Sequence, residues 1–224
     1  MNKFTKIIAA IIMLATIVVV GCKKPEVPSH EFVDLGLPSG TLWATCNLGA
    51  DQPEGYGDYF AWGETAPKQS YSWCNYKYGE CIDDRVEMTK YCTDSTWGFN
   101  GFYDKLTVLE PVDDAATANW GADWRMPTKE DWEELYTNTT CTWTKQNDVM
   151  GMLLTSWNGN SIFLPAAGYC SEDEIISTAL GIYWSSSLQL NLQVIAWSFH
   201  FTLDGCHVCG SYERNRGQVV RAVR

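Results

Sequence analysis

Histidine is scarce in this chain, positive charge is in deficit, and only one long apolar run occurs. The sequence holds three histidines, and its 16 Lys and Arg are outnumbered by 27 Asp and Glu, for a formal net charge of −11 over 224 residues. A phosphate backbone would be repelled by this balance, so nucleic acid is not an expected partner. Few imidazoles and no second Cys-x-x-Cys pair leave the tetrahedral zinc sites built from such halves without a ligand set. No Gly-x-Ser-x-Gly elbow precedes Ser185 to Ser187, so a serine triad of that type has no support, and those serines read as turn residues. No internal repeat of useful period occurs.

The single apolar run, Ile7 to Gly21, follows Lys3 and Lys6 and ends in Val-Val-Gly-Cys. It is too short for a permanent span, and the small residues before Cys22 suit cleavage, which reads as a lipoprotein signal peptide over residues 1–21. Cys22 then becomes the lipidated N-terminus, residues 22–30 a Pro-containing tether, and 31–224 a single domain. Nine cysteines occur in all. Beyond Cys22, in a compartment that tolerates disulfides, one or two bridges are expected in the loop region, among Cys74, Cys81 and Cys92.

Tryptophan and tyrosine are abundant, at 11 each, and often stand beside glycine, as at Trp62-Gly63, Trp97-Gly98 and Trp120-Gly121. Glu31 to Gly36 and Thr41 to Cys46 read as a hairpin. From Asn47 to Asn119 periodicity is lost, apart from a short helix at Asp113 to Asn119, and a long structured loop is expected. The clearest helix begins after Thr128, an N-cap with an acidic residue three positions on, and buries Trp132 and Leu135. Strands follow at Cys141 to Lys145, Met152 to Ser156 and Ile162 to Leu164, with Asn158-Gly159 as a turn, then at Ile182 to Ser186, Ala196 to Phe201 and Gln218 to Val223. Few helices and many short strands give an α+β class.

The order of motifs is recognisable. Gly36-Leu-Pro-Ser-Gly-Thr-Leu-Trp-Ala-Thr-Cys-Asn-Leu-Gly-Ala50, Tyr56-Gly-Asp-Tyr-Phe-Ala-Trp-Gly-Glu64, Trp124-Arg-Met-Pro-Thr128, Phe163-Leu-Pro-Ala-Ala-Gly168, Tyr183-Trp-Ser-Ser-Ser187 and Arg221-Ala-Val-Arg224 together resemble the Fibrobacter succinogenes major paralogous domain family, abundant among lipoproteins of Bacteroides-type bacteria. The resemblance covers nearly all of the chain from Glu31 onward. It implies a C-type lectin-like fold: a twisted antiparallel sheet with one or two helices, long loop regions, and first and last strands paired. Arg125-Met-Pro-Thr followed by Glu130-Asp-Trp-Glu133 is also similar to the helix start of formylglycine-generating enzymes of the same fold. Fold does not transfer function.

Some proteins of this fold are targets of diversity-generating retroelements, which rewrite adenines near the gene's 3′ end. Leu188 to Arg216 is rich in the residues such rewriting yields from Asn codons and lacks Lys and Met. Gln189, Gln193, Trp197 and Glu213 are then scaffold. The lectin calcium motifs are incomplete: Glu110-Pro111-Val112 and Trp157-Asn158-Gly159 lack the needed side-chain oxygens.

Within the segment, Cys206-His207-Val208-Cys209 admits several readings. Zinc needs further ligands. On a regular strand the two thiols also face opposite ways. A thioredoxin-like pair needs a helix start that nothing here predicts. A thiol- and copper-dependent oxidase related to the formylglycine-generating enzymes would have four residues between its thiols, where only His207 and Val208 stand here. The favoured reading is a contact surface, on which the thiol pair could also close into a strained disulfide.

The expectation is therefore a non-enzymatic outer-membrane lipoprotein, at the cell surface or the periplasmic face, held through Cys22 and needing no cofactor or metal. Its ligand would be a protein or glycan on another cell, a phage or a host. The face is assigned to Leu188, Leu190, Ser198, His200, Thr202, Cys206, His207, Val208, Cys209, Ser211, Tyr212 and Asn215. Its scaffold is assigned to Trp43, Trp62, Trp124, Arg125, Trp132, Trp184 and Arg221, with the two arginines bonded to loop carbonyls. The alternatives are the oxidase and a structural envelope protein without ligand.

Overall fold

The computed structural model describes residues 30–83 and 85–224, with backbone alone at Val208 and Cys209. The expected signal peptide, Cys22 and the tether up to Ser29 lie outside the described residues. His30, the last tether residue, stacks on Trp120 at 3.8 Å, so packing begins one residue before the expected boundary.

Strands β1 (Phe32–Asp34) and β2 (Leu42–Ala44) pair antiparallel. The turn between them closes where Gly40 donates to the Leu37 carbonyl at 2.9 Å, with Gly40 at φ 77°. The far edge of β2 takes the end of the chain: Leu42 and Arg224 exchange backbone hydrogen bonds of 3.0 Å, and Val223 also bridges Arg125. The strand expected over Gln218 to Val223 is instead a series of single bridges, Phe60 to Gln218, Tyr183 to Val219 and Trp43 to Val223. This segment changes partner every few residues, which a ladder between two strands cannot do.

The stretch expected to be loop contains a hairpin, β3 (Gly79–Ile82) with β4 (Arg85–Met88). Helix α1 (Ala115–Trp120) follows, with the Asp114 carboxylate accepting from the Thr117 amide at 3.0 Å and the Met126 amide at 2.8 Å. Helix α2 (Lys129–Thr137) starts where predicted. The Thr128 hydroxyl accepts from the Asp131 amide, and the Asp131 carboxylate accepts from the Thr128 amide, which satisfies two orphan donors and places acid at the positive end of the helix.

β5 (Thr139–Gln146), β6 (Val149–Ser156) and β7 (Ser161–Pro165) form a meander. Asn158 and Gly159 sit in the last turn. β8 (Tyr169–Ser171) and β9 (Glu174–Ile176) make a short hairpin, and β10 (Gly181–Leu188), β11 (Ile195–Thr202) and β12 (Gly205–Glu213) a sheet in that order. The chain is a strand-rich α+β protein, and every pairing between these strands is antiparallel. Among the described residues the strands divide into separate two- and three-stranded sheets.

Indoles fill two adjoining cores. One holds Trp62, Tyr76, Tyr91 and Trp184. The other, between α2 and β10–β12, holds Trp43, Trp132, Tyr183, Phe199 and Phe201, with Trp132 stacked on Phe199 at 4.6 Å. Buried indole N–H groups need acceptors. Trp62 donates to the Ser185 carbonyl at 2.8 Å and Trp184 to that of Phe60 at 2.7 Å. The bridge expected among Cys74, Cys81 and Cys92 is not formed, and the described thiols are free. Cys92 is buried, donating to the Asp94 carbonyl at 3.1 Å, whereas the exposed thiols of Cys74 and Cys81 touch.

Candidate functional site

The C-terminal segment divides sharply by burial. Leu188 (2 % exposed), Ser198 (1 %), Cys206 (8 %) and Asn215 (3 %) are buried, so none of them offers a contact surface, contrary to the sequence reading. β10 is buried along its whole length, which takes Leu188 inward. On β11, Ala196, Ser198, Phe199 and Phe201 turn to the interior, and Ser198 goes in with its hydrophobic neighbours. Asn215 lies in the turn that leads to the buried last segment. Leu190 (57 % exposed), His207 and Ser211 are at the surface, and His200, Thr202 and Tyr212 are half-buried. The Val208 and Cys209 side chains fall outside the described residues.

β12 is irregular at the stretch in question. Ser198 faces Gly210 and His200 faces His207, so Val208 and Cys209 together oppose the single residue Phe199, which is a β-bulge. The bulge resets the alternation and leaves His207 outside, its ring 5.1 Å from that of His200. The His200 Nδ1 and the Ser198 hydroxyl are both buried without a partner. Burial, then the neighbouring His207, holds the His200 imidazole below its ordinary pKa. Among the described residues no three His, Cys, Asp or Glu side chains converge as a metal site. Cys206 turns away from this surface and meets Cys141 of β5.

Two grooves adjoin the segment. The larger, about 600 Å³, is lined by Trp73, Arg85, Val86, Glu87, Thr96 and Trp97 from the loop region and by Val194 and Glu213 from the segment. Both indoles are half-buried. The second, about 410 Å³, is lined by Trp197, Lys129, Glu130 and the stretch Ser187 to Asn191. Trp197, assigned to scaffold, is thus a wall of a groove, with the Lys129 ammonium 5.0 Å from its ring.

The loop region is tied to the segment by Arg214, which the sequence reading missed. Its buried guanidinium donates to the Tyr76 hydroxyl at 2.9 Å and to the carbonyls of Lys90, Tyr91 and Gln193 at 3.0–3.1 Å, and lies 4.8 Å from the Trp62 ring. Fork geometry suits this many acceptors. Arg221 behaves as expected, donating to the carbonyls of Ala44, Thr45 and Phe163 and to Asn47. Arg125 does not. It is half-exposed and bonds Asp131 with two nitrogens, beside one bond to the Met126 carbonyl, because the capping box of α2 brings a carboxylate within reach.

Asp113 is buried. Its carboxylate accepts from Lys77 at 3.0 Å, Lys90 at 2.6 Å, Tyr91 at 2.8 Å and the Tyr78 hydroxyl. Burial pushes its pKa up, but these bonds outweigh burial and hold it well below the usual carboxylate range. Ser185 to Ser187 are buried and their hydroxyls bond backbone groups, at Ser187, Pro127 and Lys129. Glu110 pairs with Lys90, and the Asn158 amide donates to the Asp34 carbonyl, so both motif remnants of a lectin calcium site are engaged within the fold.

No protein-family model, no curated protein and no solved structure matches this chain.

Proposed function

We propose that this chain is a non-enzymatic cell-envelope binding protein. It has a C-type lectin-like fold of the Fibrobacter succinogenes major paralogous domain type and is anchored to the outer membrane through Cys22. Its ligand is a protein or glycan on another cell, a phage or a host. The recognition surface is the exposed part of the C-terminal segment, Leu190, His200, Thr202, His207, Ser211 and Tyr212, together with the groove that the segment shares with the loop region.

One observation carries this reading: two half-buried indoles, Trp73 and Trp97, face a groove whose other wall is Val194 and Glu213 of the segment. Rigid aromatic area beside a few polar groups is what binding sites use, since few rotamers are lost on contact. Arg214 ties the loop region to the segment, as its bonds run to Lys90 and Tyr91 on one side and Gln193 on the other. The mixed chemistry of Arg85, Glu87 and Glu213 against indole faces suits a glycan or a polar peptide.

The test is binding of the purified full chain to arrays of bacterial polysaccharides and to whole cells carrying envelope proteins and phage receptors. Saturable binding to one class is expected. A chain that binds none of them contradicts the proposal.

A further inference from the structure

Cys206 has a partner outside its own motif. On β12 it faces Phe201 across the strand pair and packs into the core that holds Leu154, Leu164 and Phe201. Cys141 on β5 faces Leu154 and packs against the same core while half-exposed. β5 and β12 lie in contact, and the two thiols are neighbours across that contact. β5 and β12 are edge strands of different sheets, so this is a thiol pair bridging two sheets.

The pair is chemically unequal. The neighbouring Cys206 thiol favours ionisation of Cys141, whose pKa lies below the ordinary thiol value despite some burial. Contact with Cys141, then burial and the charge on Cys141, holds the Cys206 thiol far above it. The thiolate is the attacking species in exchange reactions, and access decides which sulfur an external reagent meets. Cys141 meets both conditions and Cys206 neither. Cys170, also buried, has burial alone acting on it and is pushed up to about 11.

We propose that Cys141 and Cys206 form a dithiol–disulfide site that closes by exchange with an external low-molecular-weight or protein disulfide, tying β5 to β12. The Cys141 thiolate attacks one sulfur of R–S–S–R, forming Cys141–S–S–R and releasing RS⁻. The released thiolate takes the Cys206 proton. Cys206 then attacks the Cys141 sulfur of the mixed disulfide and expels the second RS⁻, which is protonated by the proton first lost from Cys141. Two protein thiols are oxidised by two electrons, and R–S–S–R is reduced to two R–SH. The cross-link anchors the strand that carries His207 and Ser211, whatever ligand that strand meets.

The test uses the full chain with Cys74→Ser and Cys81→Ser, which removes the exposed thiol pair. The reduced protein is treated with oxidised glutathione, alkylated under denaturing conditions and mapped by mass spectrometry. The expected product joins the Cys141 and Cys206 peptides, is cleaved by dithiothreitol, and raises Tm by roughly 5–10 °C over the reduced chain. Adding Cys206→Ser should stop the reaction at a glutathione adduct on Cys141. Recovery of Cys206 joined to Cys209, or of Cys141 and Cys206 both alkylated after oxidation, would overturn the assignment. The peptide map decides even if the Cys206→Ser protein fails to fold.

Discussion

Arg214 donates to the hydroxyl of Tyr76 at 2.9 Å, across 138 positions of sequence. The bond is buried, and with its neighbours it clamps the loop region to the end of β12. Buried carbonyls that lose a charged donor are costly, at about 1–3 kcal/mol for each group left unsatisfied. Arg214→Met is therefore expected to lower unfolding free energy by roughly 3 kcal/mol in urea titration. Arg214→Lys should lose at least half as much, because an ammonium cannot serve acceptors spread around a planar fork. A wild-type midpoint in either variant would show that the clamp is not stabilising.

Asp113 sets the acid limb of stability. Its folded pKa lies below the unfolded carboxylate value of about 3.9. Its contribution is then fully present above roughly pH 5 and lost as pH falls through 4 toward the folded value. Asp131, lowered by Arg125 and Thr128 against the effect of burial, acts in the same direction. Asp113→Asn should flatten, without abolishing, the fall in Tm between pH 5 and 3. A variant that follows the wild-type profile over that window would contradict the assignment.

Gly210 is required by close approach rather than by its backbone angle. A methyl group there would stand 2.2 Å from the His200 Nδ1 and 3.0 Å from the Ser198 hydroxyl. Overpacking of this kind costs about 1–3 kcal/mol. Gly210→Ala should reduce stability by that amount and shift the His200 and His207 ring signals in NMR spectra. Unchanged spectra would mean that β11 and β12 do not sit in the described register.

Burial also sharpens what retroelement diversification would look like. Sequencing the locus in many cells of the source population should find differences at Leu190, His200, Thr202, His207, Ser211 and Tyr212. Leu188, Ser198, Cys206 and Asn215 should be spared, since their side chains are in the core. Variation spread evenly along the gene, or concentrated at the buried four, would count against a diversified surface.

Local signals are legible in this sequence and long-range ones are not. The Thr128–Asp131 capping box, the indole at 132 and the β5–β7 meander are encoded within a few residues, and each was legible. β3 and β4 lie in a stretch broken by Gly, Asp and Tyr, and only pairing with each other makes them strands. β12 was obscured by Gly205, Gly210 and the bulge, which erase alternation. Arg125 sits in a recognisable motif and drew the structural role that Arg214 performs. The acceptors of Arg214 lie on three distant segments, so no window of sequence could reveal its burial. The split of the C-terminal segment into buried and exposed positions likewise depends on the sheet that β10 supplies.

The proposed recognition uses the groove and the exposed strand positions. Its most direct test compares array binding of the full chain with Trp73→Ala and Trp97→Ala. The two indoles are half-buried, so each variant should keep the wild-type far-ultraviolet circular dichroism while its affinity for the bound polysaccharide or surface protein falls at least about tenfold, some 1.4 kcal/mol. Folded variants that bind as tightly as the wild type would contradict the account.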